Sequence, residues 1–153
     1  MQDSDEFARV IGHCSLAWTA CHSNVFLIFK LTSGFTDEAA RRIFFKIRQD
    51  YLQRELAISS LESCDWIDGE RKQEIIEVVE KLGYVSNRRN VAVHQMWSRD
   101  ENDNIIPHPD AENFLKDKYS QNNSLRDLFG KLHEELHNIY HQLMDHCEYI
   151  ENL

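Results

Sequence analysis

Arg88-Arg89-Asn90-Val91-Ala92-Val93-His94, running on into Gln95-Met96-Trp97, is the stretch whose reading decides the fold. Laid on a helix of about 3.6 residues per turn, Ile75, Val78, Val79, Leu82, Val93, Met96 and Trp97 fall on one apolar stripe. Arg89 lands inside that stripe, Asn90 on its edge, and His94 one turn above Asn90 on the same flank. A hydrated cation on a core-facing stripe is costly unless something pairs with it. Local rules are broken most often at functional sites. The stretch therefore predicts a long helix over about Gly69–Trp97 and marks where chemistry is to be sought.

Working outward, the same periodicity predicts three more helices. The first spans about Asp3–Leu31, where Phe7, Val10, Ile11, Cys14, Trp18, Cys21, Val25 and Ile28 recur at helical spacing and Thr32-Ser33-Gly34 ends the pattern. His13 and His22 lie beside that apolar face and read as partly buried structural histidines. The second helix starts at an N-cap on Thr36, with Asp37 and Glu38 in its first turn, and continues to about Ser63. It carries two opposed apolar stripes, one through Ala40, Ile43, Ile47, Tyr51, Ile58 and Leu61, the other through Phe45, Leu52 and Leu56. Such a helix is central in its bundle or buried in a dimer. Arg41, Arg42, Lys46, Arg48 and Arg54 ride on it, either as a solvated face or as the wall of a positive cleft. Gly83 weakens the third helix and predicts a kink near Tyr84. The polar run Ser98–Asn104 breaks it, Ile105–Pro109 suits a small hairpin or an irregular excursion, and Asp110–Tyr119 has room for one or two helical turns. The fourth helix, about Ser124–Ile150, has the cleanest stripe, through Leu125, Leu128, Phe129, Leu132, Leu136, Ile139, Leu143, Cys147 and Ile150. The expectation is an all-α, antiparallel four-helix bundle with an irregular insertion between the third and fourth helices, a single domain over residues 1–153.

Composition narrows the function classes. The net charge of −9 argues against a surface broadly adapted to nucleic acid and leaves room only for a confined basic cleft. No leader pattern opens the chain, and the longest apolar run, Val25–Phe29, is too short to cross a bilayer. Cys14, Cys21, Cys64 and Cys147 are scattered without a C-x-x-C pair, which reads as reduced, buried thiols. These features predict a cytoplasmic protein with no membrane partner and no cofactor or metal. There is no glycine-rich phosphate loop and no nucleophile elbow.

The residue types at Arg89, Asn90 and His94 suit RNA cleavage without a metal. An imidazole can take the 2′-hydroxyl proton or protonate the leaving oxygen. A guanidinium can hold the phosphate and stabilise its developing charge. An asparagine one turn from a histidine can orient its ring. Five residues of helix rotate the chain by about 140°, so Arg89 and His94 converge only if the arginine wraps around or a two-fold axis brings a second copy alongside.

A helical bundle carrying R-N-x-x-x-H in a late helix resembles the HEPN superfamily, whose motif is R-x(4–6)-H, often with Asn directly after Arg. Arg89, Asn90 and His94 match it residue by residue. The resemblance implies an all-α bundle, commonly a homodimer with two motifs facing a shared cleft. It also implies metal-independent endoribonuclease activity in many members, acting as toxins with a neutralising antitoxin protein, in anti-phage defence or in RNA processing. Others are non-catalytic binding modules. Many members have Ala-His-Gly at the end of the motif, where this chain has Val93-His94-Gln95.

Two competing readings stand beside it. Arg89 could pair with Asp50 or Glu55 as a purely structural cation. His133-Glu134-Glu135-Leu136-His137 matches the H-E-x-x-H pattern of zinc proteases. The stripe of the fourth helix, however, turns His137 and His141 to solvent, which suits a polar face with incidental metal affinity better than a dry catalytic cavity.

Overall fold

A computed structural model describes residues 4–94, 97–108 and 125–153. The fold is all-α, with one two-stranded ribbon. The elements are α1 (Ser4–Ser33), α2 (Asp37–Lys46), α3 (Asp50–Glu62), α4 (Gly69–His94), β1 (Trp97–Arg99), β2 (Ile105–Pro107) and α5 (Leu125–Glu151). The expected helical turns over Asp110–Tyr119 lie outside the described residues.

One break changes the topology. The expected second helix is two helices, because the backbone turns extended at Ile47 and again at Gln49. The side chain of Gln53 closes the gap: its Nε2 donates to the carbonyl of Ile47 at 2.8 Å and to that of Phe44 at 3.3 Å, which also accepts the Ile47 N–H at the end of α2. Ile43 and Tyr51, on one stripe if the helix were continuous, are instead 38% and 57% exposed, while Arg54 is buried.

The added reversal alters the helix directions. Cys14 meets Phe129 and Cys21 meets Leu136, so α1 and α5 run parallel. His22 meets Gln53 and Thr32 meets Ser60, so α1 and α3 also run parallel. α2 folds back against α1, with Lys30 meeting Asp37 and Phe26 meeting Phe45, and α4 opposes α3 and α5: Lys72 reaches Glu62 while Gly83 lies against Arg54, and Arg71 lies over Tyr149 while Arg88 pairs with Glu135. The antiparallel order expected of four up-and-down helices is therefore not the order observed.

The core is continuous. Phe29, Phe44, Leu61, Ile75, Leu82, Phe129, Leu132, Leu136 and Leu143 are fully buried within it. After α4 the chain forms the small antiparallel hairpin, with Trp97 opposite Pro107 and Arg99 opposite Ile105. The Asp100 carboxylate accepts from the N–H groups of Asn102 and Asn104, and Asp103 adopts a left-handed φ of 63°, which together shape the turn. Trp97 packs edge-on against Phe7 and Phe129, tying the ribbon to α1 and α5 just past His94. No helix among the described residues is long and apolar enough to cross a membrane.

Candidate functional site

Three helices converge on Trp18. On α1, Trp18 and His22 are one turn apart with ring centroids 4.7 Å apart. From α3, the Arg54 guanidinium lies 5.9 Å from the Trp18 ring centroid. From α4, the Arg89 guanidinium lies 5.6 Å from the same ring. Two cations within cation–π range of one indole is a dense arrangement in a chain with 26 acidic and 17 basic residues. Neither guanidinium makes an ion pair among the described residues. The structural pairing of Arg89 with Asp50 or Glu55 is thus not formed.

The hydrogen bonds set the protonation pattern. Gln53 spends its amide N–H groups on α2 carbonyls, so its Oε1 faces Nδ1 of His22 at 3.2 Å and accepts from it. The other ring nitrogen, Nε2, then accepts from Nη1 of Arg54 at 3.4 Å. Burial, with Arg54 and Arg89 nearby, pushes the His22 pKa down to about 4, against a smaller opposing pull from Asp50. His22 is therefore a neutral imidazole held in one tautomer at neutral pH. Burial also lowers the pKa of Arg54, partly offset by Asp50 and Glu55. A cavity of about 280 Å³ opens between α3 and α4 onto Arg54 and Gly83, with Glu55 and Glu80 in its walls. Those carboxylates make this mouth a poor entry for an anion.

Arg89 and Asn90 stay together. Nη1 of Arg89 donates to Oδ1 of Asn90 at 2.9 Å, so Asn90 positions the guanidinium. The Nε of Arg89 is buried with no hydrogen-bond partner among the described residues. His94, the last residue of α4, is exposed. No hydrogen bond or ion pair joins it to Arg89, in keeping with the divergence expected along one helix. Arg88, next in the motif stretch, forms a two-pronged pair with Glu135 of α5, one contact being 2.9 Å.

No family model matches the chain, and neither a curated protein nor a solved structure matches it significantly.

Arg54, Gln53, Trp18 and His22 belong to this cluster and were not singled out as a group by the sequence. The available signal was Trp18 and His22 at i and i+4, together with Arg54 among the basic residues of the second helix. The other cations of that helix behave differently: Arg41 and Arg42 are exposed and paired with Asp37 and Glu38 one turn back. The H-E-x-x-H residues form no cluster of three or more potential metal ligands among the described residues. His133 packs toward His13 at 5.7 Å between centroids, whereas His137 is exposed.

Proposed function

We propose that the chain is a HEPN-like, metal-independent endoribonuclease domain that acts on RNA as a homodimer in the cytoplasm. Its settings would be a toxin with an antitoxin partner, anti-phage defence or RNA processing. The supporting observation is the Arg89 guanidinium, held beside Asn90 with no ion pair among the described residues, in a strongly acidic chain. A cation kept half-buried without a carboxylate fits an anionic ligand. The long helices α1, α3, α4 and α5, joined through one core, fit a four-helix HEPN-like bundle to which α2 is an added turn-back.

In this reading Arg89, steadied by Asn90, binds the scissile phosphate, and His94 removes the 2′-hydroxyl proton. The 2′-oxygen then attacks phosphorus, the bond to the 5′-oxygen breaks as that oxygen takes a proton from water, and the products are a 2′,3′-cyclic phosphate and a 5′-hydroxyl. Because Arg89 and His94 diverge within one protomer, the arginine of one copy serves the histidine of the other across the two-fold axis.

The test is cleavage of a panel of structured and single-stranded RNAs with a chelator present. His94→Ala is expected to lower the rate about 10²–10⁴-fold. Equal activity in His94→Ala, or no cleavage of any RNA by the wild type, defeats the nuclease reading. The turn of Arg89 onto Trp18, away from His94, favours a second reading, a non-catalytic binding module built on the same motif. That reading expects RNA or protein binding that survives His94→Ala, without cleavage.

A further inference from the structure

α5 carries a row of imidazoles each one turn from the next, half-buried at His133 and exposed at His137 and His141. Their geometry separates them into unequal pairs. His133 and His137 are stacked with ring centroids 6.3 Å apart. His137 and His141 meet edge to face, and their Nε2 atoms are 3.0 Å apart. Without a metal, one of these nitrogens must donate its proton to the other. With both rings in the Nδ1–H tautomer, both Nε2 atoms are free of protons and can bind one ion.

The spacing is that of a chelate. Metal–imidazole bonds run about 2.0–2.1 Å. Two such bonds at a right angle separate the nitrogens by about 2.9 Å, and at the tetrahedral angle by about 3.3–3.4 Å. The 3.0 Å found here lies at the right-angle end of that range. A tetragonal or square-planar ion that favours nitrogen donors fits it better than tetrahedral zinc does. Both residues are exposed, so an ion can enter and complete its coordination with water. No third histidine, cysteine or carboxylate among the described residues joins the pair into a larger cluster.

We propose that His137 and His141 form a two-nitrogen chelate for a divalent copper or nickel ion on the open face of α5. The site is separate from the Trp18 cluster and does not rest on the nuclease reading. It also departs from the H-E-x-x-H pattern, whose first histidine, His133, takes no part.

The experiment titrates the untagged full chain with copper(II) or nickel(II) chloride by calorimetry, and reads nitrogen ligation from the copper electron-spin resonance spectrum. The expected result is one ion per chain with two equivalent nitrogens. His137→Ala and His141→Ala each weaken binding by at least about 10-fold, the lower end of what losing even a supporting residue costs a metal site. His133→Ala binds within about twofold of wild type. Helix content by circular dichroism checks that these substitutions leave the fold intact. The proposal is overturned if the wild type binds no ion, if His141→Ala binds as tightly as wild type, or if His133→Ala weakens binding as much as His141→Ala does.

Discussion

Two neighbouring faces of α1 treat polar atoms in opposite ways. The face turned to α5 carries Cys14 and Cys21, whose thiols donate to the carbonyls of Phe129 and Leu136 at 3.3 Å each. Further along, the thiol of Cys147 donates to the carbonyl of Asn24 at 3.6 Å. Each of these thiol hydrogens has a backbone acceptor. The face turned to α3 and α4 carries Trp18 and His22 and gathers two guanidiniums, one with a buried N–H that has no partner among the described residues. A seam whose thiols are all answered internally is built chiefly for stability, and there the Asn24 amide Nδ2 is the exception, buried with no partner among the described residues. A cluster with surplus donors is built at some cost to stability, and that surplus is what an external anion could satisfy.

The largest expected effect tests the closed face. Burial pushes the thiol of Cys14 up to about 11, and those of Cys21 and Cys147 up to about 12. It raises Cys64 as well. Thiolate is the reacting form, so raising a thiol to about 12 cuts the reactive fraction at pH 8 roughly a thousandfold before access is counted. A chromogenic disulfide reagent at pH 8 should find all four thiols silent in the folded chain and all four reactive in concentrated urea. One thiol that reacts fast in the native protein would show that the seam between α1 and α5 opens, and the contrast between the two faces would be lost.

The open face should announce itself through pH. The unfolded His22 imidazole takes up a proton below about 6.5, while the folded one does so only below about 4. Between those values the unfolded state holds more protons, so stability falls as the solution is acidified and levels off below the lower value. The full loss over this window is on the order of 3 kcal/mol. Urea unfolding at a series of pH values measures it, and His22→Gln should flatten that limb of the curve. If the slope is the same in wild type and His22→Gln, or if the His22 ring protons titrate near the ordinary value, then His22 is neither buried nor held neutral.

These contrasts also show where the sequence was readable. Periodicity located α1, α4 and α5 to within a few residues, since long amphipathic helices repeat their signal many times. It marked Arg89 as a misplaced charge, and Arg89 does lie half-buried against an aromatic ring. It missed the break at Ile47–Gln49, because no glycine or proline stands there and the turn is secured by the side chain of Gln53, four residues downstream of Gln49. With that break went the helix directions, and with the directions went the meeting of Arg54 and His22 from separate helices. The two opposed stripes read along a single second helix were the trace of two helices with different orientations. A tertiary hydrogen bond of this kind leaves no periodic mark, so the residues it gathers could not be grouped from spacing alone.

The smallest expected effect tests how tightly α4 is pressed onto the Trp18 cluster. Gly83 predicts a kink near Tyr84, yet α4 is assigned as one continuous helix through it. A Cβ placed at Gly83 would sit 3.4 Å from Nε of Arg54, with its next neighbours, also guanidinium atoms, at 3.6 and 3.7 Å. Those are ordinary contact distances, and the atoms met belong to a flexible side chain at the edge of a cavity. Helix propensity favours alanine over glycine by about 1 kcal/mol in a helix interior. Gly83→Ala should therefore stabilise the chain by about 0.5–1 kcal/mol in urea unfolding. Destabilisation would mean that Arg54 has no room to give, making the guanidinium a rigid part of the packing between α3 and α4. In that event the cluster resembles the closed face more than the open one, and Arg54 is a structural cation, leaving Arg89 alone to meet a phosphate.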